Sequence, residues 1–352
     1  MRKSSFCWLG IGLGLVMSLT AAAAELSFSP NGTFKIVQFT DTHLDFPESY
    51  PGTDAKTLME KAAVGVKLGC MMKDINDILD AEKPDLVVFT GDNVLTPPAL
   101  LKKGWLHLTK PAVDRHIPWI AVMGNHDPEN RPPVSAIVKM LSQLPGSLDV
   151  QGPPELGGGG NFILPLIWQQ HPAAMLYFLD SGRHSDRQLS DGYAWLTFPQ
   201  IVWFRDQTAR ITAANHGRPL PALAFFHIPF PEFITAYLEP GKKIGVRGED
   251  GGCPLINSGM FAAMLETRSV MGVFTGHDHD NDYAVSYHGI CLAYGRKTGV
   301  FCYLHNLTSG ARVIELQAGK RTFTSWIRTG DGQVINKFVY PNDFPPPEKK
   351  KK

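Results

Sequence analysis

Three short apolar-rich runs in the first third of the chain constrain its fold most. Phe34-Lys35-Ile36-Val37-Gln38-Phe39 leads into Thr40-Asp41. Leu86-Val87-Val88-Phe89 leads into Gly91-Asp92, and Trp119-Ile120-Ala121-Val122-Met123 closes on Gly124-Asn125. The stretches between them are helical in pattern. One runs from about Ala55 to Ala81, with Leu58, Ala62, Val66, Ile75, Ile78 and Leu79 as its apolar residues, and the next from about Ala99 to Arg115. Parallel strands need a crossover of that size and are buried on both faces, so their sequences read as apolar runs. The repeat therefore predicts a parallel sheet with crossover helices.

The same grammar continues after an interruption. Gln151 to Asn161 is rich in glycine and proline and reads as a loop, because strand signals resume at once. Its glycine run, Gly157 to Gly160, follows no strand and opens no helix, so it is not a phosphate cradle. Met175 to Leu179 is a strand ending at Asp180. A helix from about Phe198 to Ala214 leads to Leu223-Ala224-Phe225-Phe226, which delivers His227. Pro240 to Pro254 is a second loop. A helix from Ser258 to Glu266 then leads to Val270 to Thr275, which delivers Gly276-His277. Short alternating strands close the chain, among them Val285 to Tyr287 and Arg312 to Leu316. No second domain boundary is visible.

The residues just past the strands carry the chemistry. In open α/β sheets the ligand crevice lies beyond the carboxyl ends of the strands. Five polar motifs stand there: Asp41-Thr42-His43, Gly91-Asp92-Asn93, Gly124-Asn125-His126-Asp127, His227, and Gly276-His277-Asp278-His279. Asp41 and His43 alternate on an extended segment, so both side chains face one way and form a two-point metal grip. Asp92 can bridge two cations with its two oxygens. Asn125 offers an amide oxygen, and His227, His277 and His279 offer imidazole nitrogens. This donor set suits Zn, Fe, Mn, Co or Ni, and the absence of thiolate argues against a purely structural zinc site. Two such cations about 3.5–4 Å apart clamp a phosphoryl group and generate hydroxide near neutral pH. His126 sits beside the cluster, where it can stabilise the transferring phosphoryl group or protonate the leaving oxygen. Asp127 is expected to orient that imidazole. Taken singly, Asp-Thr-His and Gly-Asp-Asn are ordinary turns, and a lone histidine is more often a core or surface residue. Gly-His-Asp-His is the sharpest motif, because a turn rarely demands two histidines.

Composition sets further limits. The 352 residues are 43% apolar and 19% charged, ordinary for a globular chain with a sizeable core. Arg2 and Lys3, the apolar segment Phe6 to Thr20 and the small residues Ala21 to Ala24 read as a secretory signal over residues 1–24. Cleavage near Ala24 is expected, with an uncleaved anchor as the alternative. The mature chain is then soluble, exported and without stable membrane association. The net charge of +1 becomes about −1 with the leader removed, leaving no basic excess for nucleic acid. Cys70, Cys253, Cys291 and Cys302 permit disulfides without requiring them. The catalytic domain is expected over residues 25–340, and residues 341–352 read as a disordered tail ending in Lys349 to Lys352.

In this order and strand context the motifs resemble the calcineurin-like metallophosphoesterases. The likeness is strongest to the group related to purple acid phosphatases that lacks their metal-ligating tyrosine. It rests also on Lys83-Pro84-Asp85-Leu86-Val87-Val88-Phe89-Thr90-Gly91-Asp92-Asn93, Leu176 to Gly182, Phe226 to Phe233, and Gly276 to Asp282. Gly245-Val246-Arg247 and Asn257-Ser258-Gly259 add to it. The resemblance implies an α/β four-layer sandwich: two mixed β-sheets flanked by helices, with a dimetal site at the strand C-terminal ends. It implies a first metal on Asp41, His43, Asp92 and His279, and a second on Asp92, Asn125, His227 and His277. Purple acid phosphatases carry a tyrosine three residues after the bridging aspartate. Here that position is Leu95, so no purple charge-transfer band is expected and the pair is a redox-quiet one. Arg247, in a glycine-rich loop, is the candidate substrate-phosphate contact. Its alternative is an ion pair with Glu249 or Asp250.

The function expected is that of an exported dimetal phosphoesterase acting on phosphomonoesters, small or protein-borne, through a metal-bound hydroxide. A phosphodiesterase or nucleotidase using the same site is the alternative. A non-catalytic metal-binding module and an envelope protein anchored by its leader are the competitors from other classes.

Overall fold

The computed structural model describes residues 25–157, 159–301 and 307–345. Thirteen strands are formed among them: β1 (Thr33–Phe39), β2 (Leu86–Thr90), β3 (Trp119–Val122), β4 (Phe162–Trp168), β5 (His171–Phe178), β6 (Ala222–Phe225), β7 (Lys243–Ile244), β8 (Val270–Thr275), β9 (Ala284–Tyr287), β10 (Ile290–Tyr294), β11 (Gly310–Gln317), β12 (Phe323–Thr329) and β13 (Val334–Tyr340). The helices are α1 (Ala55–Glu82), α2 (Leu101–Asp114), α3 (Val134–Leu141), α4 (Phe198–Ala214), α5 (Glu232–Leu238) and α6 (Met260–Thr267).

The strands form two mixed sheets. One has the order β13-β12-β11-β1-β2-β3, the other β4-β5-β6-β8-β10-β9-β7. The predicted crossover repeat is there: β1, β2 and β3 pair in parallel. In the second sheet β5, β6, β8 and β10 are parallel neighbours. Side-chain alternation then makes the layers. Phe34 and Ile36 of β1, Leu86 and Val88 of β2, and Ile120 and Val122 of β3 point into a core between the sheets, against Leu223 and Phe225 of β6. The intervening residues Val37, Phe39, Val87, Phe89, Trp119 and Ala121 point the other way, onto α1, α2 and α3. Tyr177, Ala222 and Ala224 of the second sheet face α4, α5 and α6. Helices, sheet, sheet and helices are the four layers expected. Both sheets share that central core.

The structure departs from the sequence-based expectation at the end of the chain. The domain does not stop at residue 340. Phe344 is buried in the central core, its ring 5.1 Å from that of Phe338. The Asp343 carboxylate accepts a hydrogen bond from the Val339 amide (2.7 Å). The proline-rich sequence hid an aromatic anchor. The leader (1–24), the lysine run and Cys302 lie outside the described residues. Cys70, Cys253 and Cys291 are free thiols. No helix among the described residues is long and apolar enough to cross a membrane.

The helical layer over β2 and β3 is clamped by aromatic packing. Trp105 of α2 stacks on Trp119 of β3 at 6.2 Å, and Phe89 of β2 meets both rings edge-on. Trp105 is fully buried. Replacing it by alanine should cost about 3–5 kcal/mol of unfolding free energy. The fall in the urea midpoint measures this, and an unchanged midpoint would show that the layer is held elsewhere.

Candidate metal centre

The strand ends of the two sheets meet at one edge of the sandwich, and buried polar contacts lock them together. The Gln38 amide, on β1, donates to Thr90 Oγ1 (2.8 Å) on β2 and to the Thr275 carbonyl (2.9 Å) on β8 in the other sheet. His227, just past β6, donates from Nδ1 to the Thr90 carbonyl (2.8 Å). The His277 amide, past β8, donates to Asp41 Oδ2 (3.0 Å), past β1. These contacts bring residues of distant motifs within reach of one another.

Two groups of donor atoms result. Asp41, His43, Asp92 and His279 form one, and Asp92, His227 and His277 the other; within each group the donor atoms lie within 4.8 Å. Asp92 belongs to both. Asn125 joins the second, its Oδ1 3.1 Å from His227 Nε2. All seven side chains predicted as ligands are therefore buried in one place. The grip of Asp41 and His43 is not made by extended backbone, however. Both residues are left-handed, with φ of 52° and 46°, as are Asp92 (51°) and His277 (80°). Non-glycine residues rarely adopt this region, which costs about 1–2 kcal/mol each and clusters at functional sites.

The chemistry of this donor set fits divalent cations. His227 spends its only neutral-state hydrogen on the Thr90 carbonyl, so Nε2 presents a lone pair. That lone pair faces Asp92 Oδ2 (3.4 Å), Asn125 Oδ1 (3.1 Å) and His277 Nδ1 (3.3 Å). Acceptors converging on one point call for a positive charge at that point. The Nε2 of His43 is likewise buried without a hydrogen-bond partner, 3.5 Å from Asp92 Oδ2. The field agrees. Burial is the largest single influence and would lower the His227 pKa, but the charge and contact of Asp92, the Asp41 charge and the Thr90 carbonyl together lift it to about 9. Burial would raise Asp92, but the surrounding imidazoles hold it well below the carboxylate range. Burial pushes His43 down to about 4 and His277 to about 3, leaving them neutral donors.

The two other catalytic candidates part company. His126 stands at the rim, 39% exposed, with Nε2 4.0 Å from Asp92 Oδ2 and its ring 5.6 Å from that of His43. Asp127 does not orient it. Its buried carboxylate turns inward and accepts from the amides of Asn93 (2.9 Å), Val94 (3.2 Å) and Gly124 (2.8 Å). It is a brace between two ligand loops, because adjacent residues in a turn point apart. Glu129 is the residue beside the His126 ring, with Oε2 2.8 Å from Nδ1. Arg247 shows the ion pair that was its alternative. The guanidinium donates to Asp250 (2.8 Å) and lies 5.2 Å over the Tyr237 ring. Two rim residues escaped the sequence: Tyr193, whose ring meets His277 edge-on at 4.3 Å, and His184, stacked on Tyr193 at 5.5 Å. Nothing in their local sequence marks them.

A two-sheet sandwich with a paired Asp/His/Asn cage at its strand ends defines a dimetal phosphoesterase architecture. The family model for calcineurin-like phosphoesterases matches residues 34–281, so the chain belongs to that family. Among its relatives, the Arabidopsis thaliana protein named "Probable inactive purple acid phosphatase 29" is 33% identical over 92% of this chain and 89% of its own. The Saccharomyces cerevisiae protein "Phosphatase DCR2" is 34% identical over 75% of this chain and 47% of its own. A dimetal phosphatase from Danio rerio shares the fold, with TM-score 0.54 and 12% identity, over 87% of this chain and 98% of that one. The chain is thus a metallophosphoesterase of the purple acid phosphatase type.

Loading this cage should displace a proton. At about pH 7 His227, with its raised pKa, is charged and must deprotonate to become a ligand, whereas His43 and His277 are already neutral. Calorimetric zinc titration in two buffers of different ionisation enthalpy should report about one proton released per chain from His227, beyond any released by metal-bound water. Zinc uptake with no proton released would mean that His227 is already neutral before the metal arrives.

Proposed function

We propose that the chain hydrolyses phosphomonoesters with two divalent cations and that it works outside the cytoplasm. The observation that carries the activity is the shared carboxylate: Asp92 belongs to both donor groups, as a bridge between two adjacent cations requires. Asp41, His43, Asp92 and His279 would hold one cation, and Asp92, Asn125, His227 and His277 the other. Two cations from the set Mn, Fe, Zn, Co and Ni, when bound, neutralise charge on the phosphoryl oxygens and bring the pKa of a water toward 7. The protein supplies the rest. The ligands are buried, and His126, part-exposed beside Asp92, would serve as the proton donor to the leaving oxygen. Export rests on the leader-like sequence of residues 1–24.

Some relatives are named inactive, so the alternative of a metal-binding module must be met directly. The intact cage speaks for activity. A panel of phosphomonoesters and phosphodiesters, assayed on metal-stripped protein with each metal restored, decides the matter. Turnover of monoesters above diesters is expected. A diester preference would recast the chain as a phosphodiesterase. Two bound equivalents with no hydrolysis of any ester would leave only the binding module.

Two substitutions separate the roles. Asp92→Ala should abolish binding of both cations, read as metal content per chain; retention of both would mean that the bridge is assigned wrongly. His126→Ala should keep near-normal metal content and lose about 10²–10⁴-fold in kcat, the range for a general acid. Unchanged hydrolysis would remove His126 from the chemistry.

A further inference from the structure

The backbone around His126 is fixed from several directions. The His126 amide donates to Asp92 Oδ1 (2.8 Å). The Arg131 guanidinium donates to the carbonyls of His126 (2.7 Å), Glu129 (3.0 Å) and Thr96 (2.8 Å). Asp127 braces the same turn to Gly124, Asn93 and Val94. What remains free is the imidazole itself, two torsions of a ring at the solvent edge. Of these braces only Asp92 approaches it, with Oδ2 4.0 Å from Nε2, too far for a hydrogen bond.

The geometry points to Glu129 as the residue that orients His126 for the proposed reaction. The turn closes with the Glu129 amide donating to the His126 carbonyl (3.2 Å), which sets the side chains of positions 126 and 129 side by side. Glu129 Oε2 lies 2.8 Å from His126 Nδ1. An ionised carboxylate only accepts, so Nδ1 donates, and Nε2 is the nitrogen left facing Asp92. The second carboxylate oxygen lies 4.0 Å from His184 Nε2, so Glu129 stands between two imidazoles. Glu129 is therefore a positioning residue, acting through His126 and touching no reacting atom. In the proposed hydrolysis, water supplies the new oxygen on phosphorus and the ester P–O bond breaks. The attacking water gives up one proton to solvent, and the electron pair of the broken bond stays on the leaving oxygen, which takes a proton from Nε2 of the doubly protonated His126 ring. This leaves the Nδ1–H tautomer that Glu129 holds, and solvent restores the proton on Nε2. A ring turned over at its second torsion would present carbon where that proton is needed.

This inference rests on the phosphoesterase proposal, but part of its test does not. Long-range ¹H–¹⁵N correlation of the imidazoles, on the full chain with zinc and without, reads the tautomer at about pH 8.5, where an ordinary imidazole is neutral. The His126 signals are assigned by their loss in His126→Gln. His126 should carry its hydrogen on Nδ1 in the wild type and in Glu129→Gln, whose amide oxygen still accepts. The hydrogen should move largely to Nε2 in Glu129→Ala. Kinetics supply the second arm. With ethyl phosphate, whose leaving alkoxide needs a proton, Glu129→Ala should lose about tenfold in kcat, the lower end for residues that orient a site imidazole. With 4-nitrophenyl phosphate, a good leaving group, the loss should stay within about twofold, with KM unchanged in both cases. Glu129→Gln should recover most of the loss. An unchanged tautomer in Glu129→Ala overturns the assignment, as does an equal loss on both esters with raised KM. If the wild type hydrolyses neither ester, the proposed function fails, and the tautomer still decides what Glu129 does.

Discussion

Three glycines control the site because each makes room for a ligand from another motif. A Cβ on Gly91 would lie 2.3 Å from His227 Nδ1, and one on Gly124 would lie 2.2 Å from Asp92 Oδ1. One on Gly276 would lie 1.9 Å from Thr40 Oγ1 and 2.7 Å from Asp41 Oδ2. Real Cβ atoms do not come that close, so any side chain there would push a donor out of the cage. The motifs are thus interlocked: each supplies ligands and also leaves space for those of its neighbours. This is why the donor groups close only when both sheets are stacked in register. It also explains why glycine precedes Asp92, Asn125 and His277, where a turn alone would accept other residues.

The cage is costly for the apo fold. Asp41 and Asp92 are fully buried, and a buried carboxylate is worth several kcal/mol of lost solvation unless matched by charge or hydrogen bonds. Backbone and hydroxyl donors meet part of that demand. Asp41 accepts from the His277 amide and from Thr40 Oγ1 (2.7 Å), and Asp92 from the His126 amide (2.8 Å). The left-handed backbone at Asp41, His43, Asp92 and His277 adds strain that surrounding packing must hold. The clamp of Phe89, Trp105 and Trp119 ties α2 to β2 and β3, the strands that lead to Asp92 and Asn125.

Much of this was legible in the chain, for a physical reason. Strands buried on both faces announce themselves as apolar runs, so β1, β2, β3, β6 and β8 were readable, and with them the positions just beyond, where all seven ligands stand. Elements that lie at edges or carry mixed faces were not. The hairpin β12–β13 holds Arg328 and Lys337, and β4 is an edge strand that contains Pro165, tolerated only at such an edge and easily read as a strand breaker. The α3 segment, Val134–Leu141, is short and directly follows an arginine and two prolines, which mask its start. The rim was the least legible part. Tyr193 and His184 reach the site by the course of a long connection, and no local pattern encodes that course.

The exchange of Asp127 for Glu129 shows where reading by adjacency fails. In a tight turn consecutive side chains diverge by more than a right angle, whereas positions three apart return to the same side. Asp127 was near His126 in sequence and so went to the opposite face, where three amides needed an acceptor. Glu129, closed over by the i to i+3 backbone contact, came back to the ring. The inward carboxylate and the outward one then do different things. Burial and the neighbouring Asp92 charge push Asp127 up to about 6, the mark of a group held for structure inside a crowded field. Glu129 stays at the solvent edge, 42% exposed, with Oε2 against the Nδ1 of the ring that stands at the rim of the cage.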